Sequence, residues 1–184
     1  MDRRIRYTKK IIKDTLLETL KEKEINKITV SEICKKADIN RATFYRYYLD
    51  VYDLLDKIQD EFASELMTVL NKDDYTVSTF SRDILNVFLS NKDLARVLFN
   101  TQNNTIFLND ILEFTYDKFF NKWKSDLPNV NDENILLANV FIFNGALGVI
   151  NYWIKNDFKE NVDDIANTIE TLSNFGTKRY IYNK

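Results

Sequence analysis

Residues Thr29–Leu55 read TVSEICKKADINRATFYRYYLDVYDLL, and their spacing decides the fold. Thr29 stands three residues before Glu32, an arrangement in which each side chain can satisfy the other's orphan backbone N–H at a helix start. A helix opened there runs to about Ala37. Asn40 is placed to cap a third helix through Tyr48, leaving only Asp38 and Ile39 for the bend. Two short helices joined so tightly form a helix-turn-helix.

A helical wheel, stepped at about 100° per residue, separates the residues of the second of these helices by job. Phe44 and Tyr48 share its inner face with Ile33, Ala37 and Ile39, and general burial tendencies make them core. Ala42 and Arg46 point the opposite way, flanked by Thr43 and Tyr45. That outer face combines a small residue that permits close approach, a hydroxyl, a phenol and a guanidinium. The set suits base edges and phosphates in a major groove.

Upstream, Thr8 precedes Ile12, Leu16 and Leu20 at helical spacing, which predicts a first helix capped by Thr8 and ending near Lys23. Downstream, Leu54, Leu55, Ile58, Phe62, Leu66 and Val69 mark a helix of about five turns from Val51. Further helices are expected at about 76–90, 92–100, 104–125, 132–156 and 162–175, with Pro128 in a loop and Gly176 just past the last C-cap. The segment 132–156 is apolar on two faces. It needs two things to pack against: its own core and a second subunit.

Composition agrees with an all-α chain. Three glycines and one proline in 184 residues leave few breaks, and 45% hydrophobic residues suffice for a core. One cysteine, Cys34, and no histidine exclude an internal disulfide and remove the commonest general base and metal ligand. No glycine-rich phosphate loop or paired-carboxylate spacing stands in for them, so neither enzyme, metal nor cofactor is expected. Cys34 is read as a packed thiol. No stretch approaching 18 uncharged apolar residues is read in the chain, so no membrane span is expected and a cytoplasmic location is. The net charge of −2 hides a split: residues 1–50 carry 13 Lys and Arg against 8 Asp and Glu, the remainder 13 against 20. Only the first part is suited to meet a polyanion.

The quoted run closely resembles the DNA-binding signature of the TetR family of bacterial transcriptional regulators, with the first helix at the family's spacing before it. The segment NGALGVINYWIKNDFKENVDDIANTI, from Asn144, resembles the penultimate helix, short loop and last helix of the ligand-binding half in many members. The resemblance implies a homodimeric, all-helical protein of about nine helices. A three-helix head over residues 1–50 would bind a palindromic double-stranded DNA operator, and residues 51–184 would form the regulatory and dimerisation domain. Ligand binding there would change the separation of the two heads and release the operator. The alternative is a regulator or coactivator whose C-terminal domain docks a protein partner instead of a small molecule.

Carried over position by position, the resemblance implies that Thr29, Tyr45 and Tyr47 touch phosphate and that Arg41, Ala42, Thr43 and Arg46 read or approach bases. Two departures stand out. Asp38 occupies the usual glycine of the turn, where Asp is among the few residues that tolerate a left-handed backbone. Val51 replaces a common lysine at the start of the fourth helix, and the arm Arg3, Arg4 and Arg6, with Lys9 and Lys10, is a candidate to replace the lost phosphate contact. A solvated tail is the alternative for that arm.

For the dimer, Gly145 and Gly148 allow close approach, and Val149, Trp153, Ile165, Ile169 and Leu172 would complete a four-helix interface like the family's. For an apolar effector, the candidates are Phe88, Phe107, Phe114, Trp123 and Phe143 within a larger aromatic set including Phe99, Phe119, Phe120 and Phe141. Most such residues are ordinary core. Asn144, with Asn103 and Asn104, is the candidate polar group.

Overall fold

The computed structural model of the protein describes residues 3–72, 77–100 and 105–182. Among them are nine α-helices: α1 Arg3–Leu20, α2 Val30–Lys36, α3 Arg41–Tyr45, α4 Val51–Leu70, α5 Val77–Ser90, α6 Lys92–Asn100, α7 Thr105–Asp126, α8 Asp132–Lys155 and α9 Val162–Tyr182. A single 3₁₀ turn, Ile25–Lys27, joins α1 to the segment before α2. The described residues contain no strand.

Several helix ends differ from the sequence reading, and α1 closes at Leu20, before the expected Lys23. α1 begins at Arg3, five residues before the expected cap, and the Thr8 hydroxyl donates to the Arg4 carbonyl at 2.9 Å from inside the helix. Nothing between Arg3 and Thr8 breaks a helix, and a mid-helix threonine readily bonds back to the carbonyl four residues earlier. α9 runs through Gly176 to Tyr182 instead of stopping before it. A helix tolerates an interior glycine at a cost of about 1 kcal/mol when the turns on both sides hold.

α4 is the spine. Asp50 caps it, accepting the N–H groups of Tyr52 and Asp53 at 2.8 and 2.9 Å, while the Asp53 carboxylate accepts the Leu49 N–H at 2.9 Å. Its buried stripe is Val51, Leu54, Ile58, Phe62, Leu66 and Val69, joined at the last turn by Leu70. α4 packs against α1, with Ile12 and Leu16 in the same core, and against α5, where Phe62 meets Phe88 edge-on at 5.3 Å. One contiguous core therefore runs from Ile12 to Ile169 of α9. At the far end Lys118 of α7 donates to the carbonyls of Leu70 and Lys72, supplying α4 with C-terminal partners from another helix.

The corner between α8 and α9 is wound tightly. Asp157 and Phe158 both have positive φ, 60° and 56°, while their N–H groups bond back to the carbonyls of Ile154 and Trp153 at 3.0 and 2.9 Å. A bulky residue rarely adopts this conformation. Packing holds it here: the Phe158 ring meets fully buried Trp153 edge-on at 4.9 Å, and Lys92 and Arg96 of α6 lie over its face. Arg96 also pairs with Asp157.

α8 corrects the expectation that the chain has no long uncharged apolar stretch, because by length and composition alone it is apolar enough to cross a membrane. Asn139, Asn144 and Asn151 interrupt its apolar run without adding charge. It packs against α6, α7 and α9.

Lys21, just past the end of α1, reaches Asp93 of α6 at 3.0 Å, and Asp93 also pairs with Arg96 at 2.8 Å. The Lys21 hydrogen bond holds the Asp93 carboxyl below its ordinary value of 3.8, and Glu18 with Asp93 pushes the Lys21 ammonium above 10.5. A depressed acid stabilises the fold above its unfolded-state value and loses that contribution as pH falls through the lower folded value; a raised base does so below its unfolded-state value and loses it as pH rises through the higher one. The bridge is thus intact across neutral pH. Because both partners are partly exposed, its worth is below about 1 kcal/mol. We predict that Asp93→Asn lowers stability by a few tenths of that scale at neutral pH and that the gap to wild type closes in urea titrations as pH falls below the ordinary carboxylate range.

Candidate nucleic-acid interface

α2 is capped as its sequence prescribes, but only by half of the reciprocal pair. The Thr29 hydroxyl accepts the Glu32 N–H at 3.2 Å, whereas the Glu32 carboxylate turns to Lys23 at 2.7 Å and Lys36 at 3.5 Å. Those two ammonium groups, Lys23 first, hold the Glu32 carboxyl below its ordinary range. A second tie joins α1 to α2, from Lys36 to the buried Thr19 hydroxyl at 3.1 Å. The Thr29 side chain stays exposed, its own hydroxyl proton unused by the cap.

The turn that follows is a six-to-one wrap. Ile39 N–H bonds to the Cys34 carbonyl at 3.0 Å and Asp38 N–H to the Lys35 carbonyl at 3.4 Å, with Asp38 at φ 52°. Asp38 thus adopts the left-handed backbone its position demands. Cys34 is buried below, its thiol pushed up by burial, which suits a packed core group.

α3 is shorter than expected, ending at Tyr45, with a tight turn through Tyr47 in place of a helix reaching Tyr48. Asn40 caps its start twice through one oxygen: the Thr43 N–H donates to Oδ1 at 2.7 Å and the Thr43 hydroxyl at 2.8 Å. At the other end the Tyr47 N–H reaches the Phe44 carbonyl at 2.9 Å, the closer spacing of a terminating turn. Lys57 of α4 takes the Tyr47 carbonyl at 3.1 Å and Asp53 takes the Leu49 N–H, so α4 holds what would otherwise be the helix's last turn.

The wheel's division of α3 is observed. Phe44 is fully buried and Tyr48 nearly so, its phenol pushed up to about 12, chiefly by burial. Ala42, Tyr45 and Arg46 are exposed on the other side, with Thr43 half-buried between the faces. Arg41 is exposed as well, its guanidinium donating to Ser31 of α2. Tyr47 is half-buried under Lys9 of α1, whose ammonium lies 5.6 Å from the ring centre. Arg3, Arg4 and Arg6 belong to the first turns of α1, so the expected arm is a helical extension instead of a flexible tail.

Sequence reasoning missed Ser31, Lys57 and Asp53 as holders of this surface, and read Lys9, which lies over Tyr47, as part of the phosphate-reaching arm. Only the Asp53–Lys57 pair, at 2.8 Å and four residues apart on α4, had a legible spacing.

The other candidates scatter. Phe88 is core, edge-on to Phe62 and Phe99. Phe143 meets Tyr116 and Phe119 of α7 at 5.7 and 5.0 Å, and Trp123 lies half-buried farther along the same helix. Asn144 is exposed and donates to the Tyr116 hydroxyl at 2.7 Å, which corrects its placement inside a pocket. The side chains of Phe107 and Phe114, and residues Asn103 and Asn104, lie outside the described residues. Of the expected interface, Trp153, Ile165 and Ile169 turn inward and are buried in the chain's own core, so they do not offer a surface to a partner. Gly145 and Gly148 are exposed, Val149 is half-buried, and Leu172 is 59% exposed.

A family profile described as "Transcriptional regulator C-terminal region" matches residues 75–175, more than half of the chain. The chain belongs to the TetR family. It is a transcriptional regulator of that family. The HTH-type transcriptional regulator YxbF of Bacillus subtilis (strain 168), of uncharacterised function, is 33% identical over 55 residues, 30% of this TetR-family chain and only 14% of YxbF. Among solved structures, a TerR/AcrR-family regulator from Aquifex aeolicus VF5 superposes with a TM-score of 0.67 at 16% identity, covering 89% of this chain and 96% of the other. The fatty acid degradation regulator FadR from Bacillus halodurans gives 0.64 at 16% identity over 90% and 94%. FadR from Bacillus subtilis, solved with stearoyl-CoA, gives 0.63 at 18% over 89% and 96%. At these identities what is shared is the fold.

The geometry of the turn yields a prediction about stability. Asp38→Gly removes the left-handed penalty and should raise stability by up to about 1 kcal/mol. Asn40→Ala strips α3 of its cap and should cost about 1 kcal/mol. Thermal melts followed by circular dichroism check both signs.

Proposed function

We propose that this TetR-family chain is a ligand-responsive repressor that binds a palindromic DNA operator as a homodimer, with residues 1–50 as the DNA-binding head and 51–184 as the regulatory and dimerisation part. The observation that carries the reading is the two-sided α3: fully buried Phe44 fixes the helix while Ala42, Tyr45 and Arg46 stand exposed on its outer side. In this reading Arg46 and Ala42 form the centre of the base-reading face, with Arg41 and Thr43 beside them. Thr29, Tyr45 and Tyr47 meet phosphates, as do Arg3, Arg4 and Arg6 from the ridge of α1.

An apolar flank supports the dimer. Leu136, Leu137, Val140 and Phe141 of α8 and Leu172 and Phe175 of α9 are all exposed, Phe141 at 70%. A Cβ added at Gly145 or Gly148 meets nothing within 4 Å, so the chain's own packing does not require glycine there. A second copy approaching closely would. Such a pair places two recognition helices about 34–36 Å apart, or a multiple of it, on the duplex. The similarly folded FadR with stearoyl-CoA supports a small-molecule effector, here one of largely apolar character. A regulator of this kind works in the cytoplasm.

Selection of bound sequences from random DNA should return a two-fold symmetric consensus, with affinity falling about 10³-fold or more between 50 and 200 mM salt if six to ten phosphates are neutralised. Arg46→Ala should relax base preference at one position of each half-site, whereas Tyr47→Phe should weaken all sequences alike. Phe141→Glu should yield a monomer by sedimentation and lose operator binding. Salt-independent or sequence-blind binding overturns the proposal.

A further inference from the structure

Asn139 stands in the middle of α8's buried stripe, about one turn after Ile135 and one turn before Phe143. It is fully buried, and neither its Nδ2 nor its Oδ1 has a hydrogen-bond partner. An amide buried in this way lacks one acceptor and one donor at once. Each unsatisfied buried group costs about 1–3 kcal/mol, and a leucine in the same place would remove the penalty. Packing alone therefore disfavours this residue here.

The neighbouring stretch of α7 is rich in aromatic side chains. α7 and α8 are antiparallel neighbours, and the register that brings Phe143 to Tyr116 and Phe119, and Asn144 to Tyr116, puts Asn139 level with Phe120 and Trp123. The aromatic row continues to α5, where Phe80 meets Phe119 edge-on at 5.1 Å. A ligand with a planar apolar body fits between aromatic faces, and a few placed polar groups orient it. A carboxamide side chain is matched on both atoms at once by a partner with a donor and an acceptor side by side. It carries no charge with which to neutralise an ion in a buried place.

We propose that Asn139 anchors a binding site between α7 and α8 for a neutral, planar molecule with an amide-type edge: a carboxamide, lactam or ureide. This rests on the reading of the chain as a ligand-responsive regulator and names the chemistry of its effector. The class differs from a fatty acyl chain, which offers no such edge along its length.

The test uses the full-length protein and its Asn139→Leu variant, with benzamide, phenylurea and δ-valerolactam as probes and acetophenone, an acceptor without the donor, as the comparison. Thermal melts without ligand should put the variant at or above wild type, since its unpaired amide is gone. At least one amide probe should raise the wild-type midpoint more than acetophenone does, and its affinity should fall about tenfold or more in the variant, the size expected for one paired donor and acceptor. Three outcomes overturn the assignment: a variant that melts well below wild type without ligand, no shift from any amide probe, or equal shifts in both proteins. Operator release is measured on the same samples. A probe that stabilises wild type through Asn139 yet leaves operator binding unchanged keeps the site and removes the repressor reading. Release by octanoyl-CoA that is equal in both proteins, with no amide binding, keeps the repressor reading and removes the site.

Discussion

Burial of one ring, Phe44, is the constraint on which the rest depends. A helix of five residues has too few internal hydrogen bonds to persist alone, since helix nucleation is unfavourable and needs many residues to offset it. α3 exists because Phe44 is fully enclosed by the core that α1, α2 and α4 build, with Tyr48 closing it behind. Every outward residue of that helix is presented only as firmly as Phe44 is held. The caps at both ends do the same from the backbone: Asn40 at the start, Lys57 and Asp53 of α4 at the finish.

The same logic extends to the body of the molecule. The helix that fixes α3 is α4, and its far end is held by Lys118 of α7. The segment just after α1 is tied to α6 through Lys21 and Asp93, and α6 to the α8–α9 corner through Arg96 and Asp157. Two physical routes therefore join the proposed recognition surface to the helices proposed to hold a ligand. One is a continuous apolar spine, the other a short series of charge pairs. They differ in stiffness, because packed apolar groups resist displacement at close range whereas half-exposed ion pairs yield to salt and solvent.

What the sequence made legible follows the range of the forces involved. Helix α2, the turn and the start of α3 were readable because Thr29, Asp38 and Asn40 act on backbone groups within a few residues of themselves. The inward and outward faces of α3 followed from periodicity alone. The placement of α1's start was misread because Thr8 has two local options, a cap or a bond back to Arg4, and only the helical context of Arg3–Tyr7 chooses between them. Trp153, Ile165 and Ile169 were misassigned for a related reason. Period tells that a residue is apolar and on a stripe, but which stripe of α8 or α9 turns to the chain's own core is a tertiary outcome. Asn139 escaped notice because an asparagine among many is unremarkable until its burial and lack of partners are known.

The uneven charge of the chain takes on a further meaning once α1 is seen to be helical from Arg3. Arg3, Arg4, Arg6 and Lys10 are exposed on a rigid rod that moves with the head, while the surplus of acidic residues lies in the rest of the chain. On the proposed reading, in which residues 1–50 meet DNA, the molecule thus carries an electric dipole from that end to its body. Near a polyanion that dipole exerts a torque before any contact is made, turning the basic end forward and the acidic end away. Orientation is then settled during diffusion, within about a Debye length, or 8 Å in physiological salt, of the duplex. On that reading the encounter begins head first.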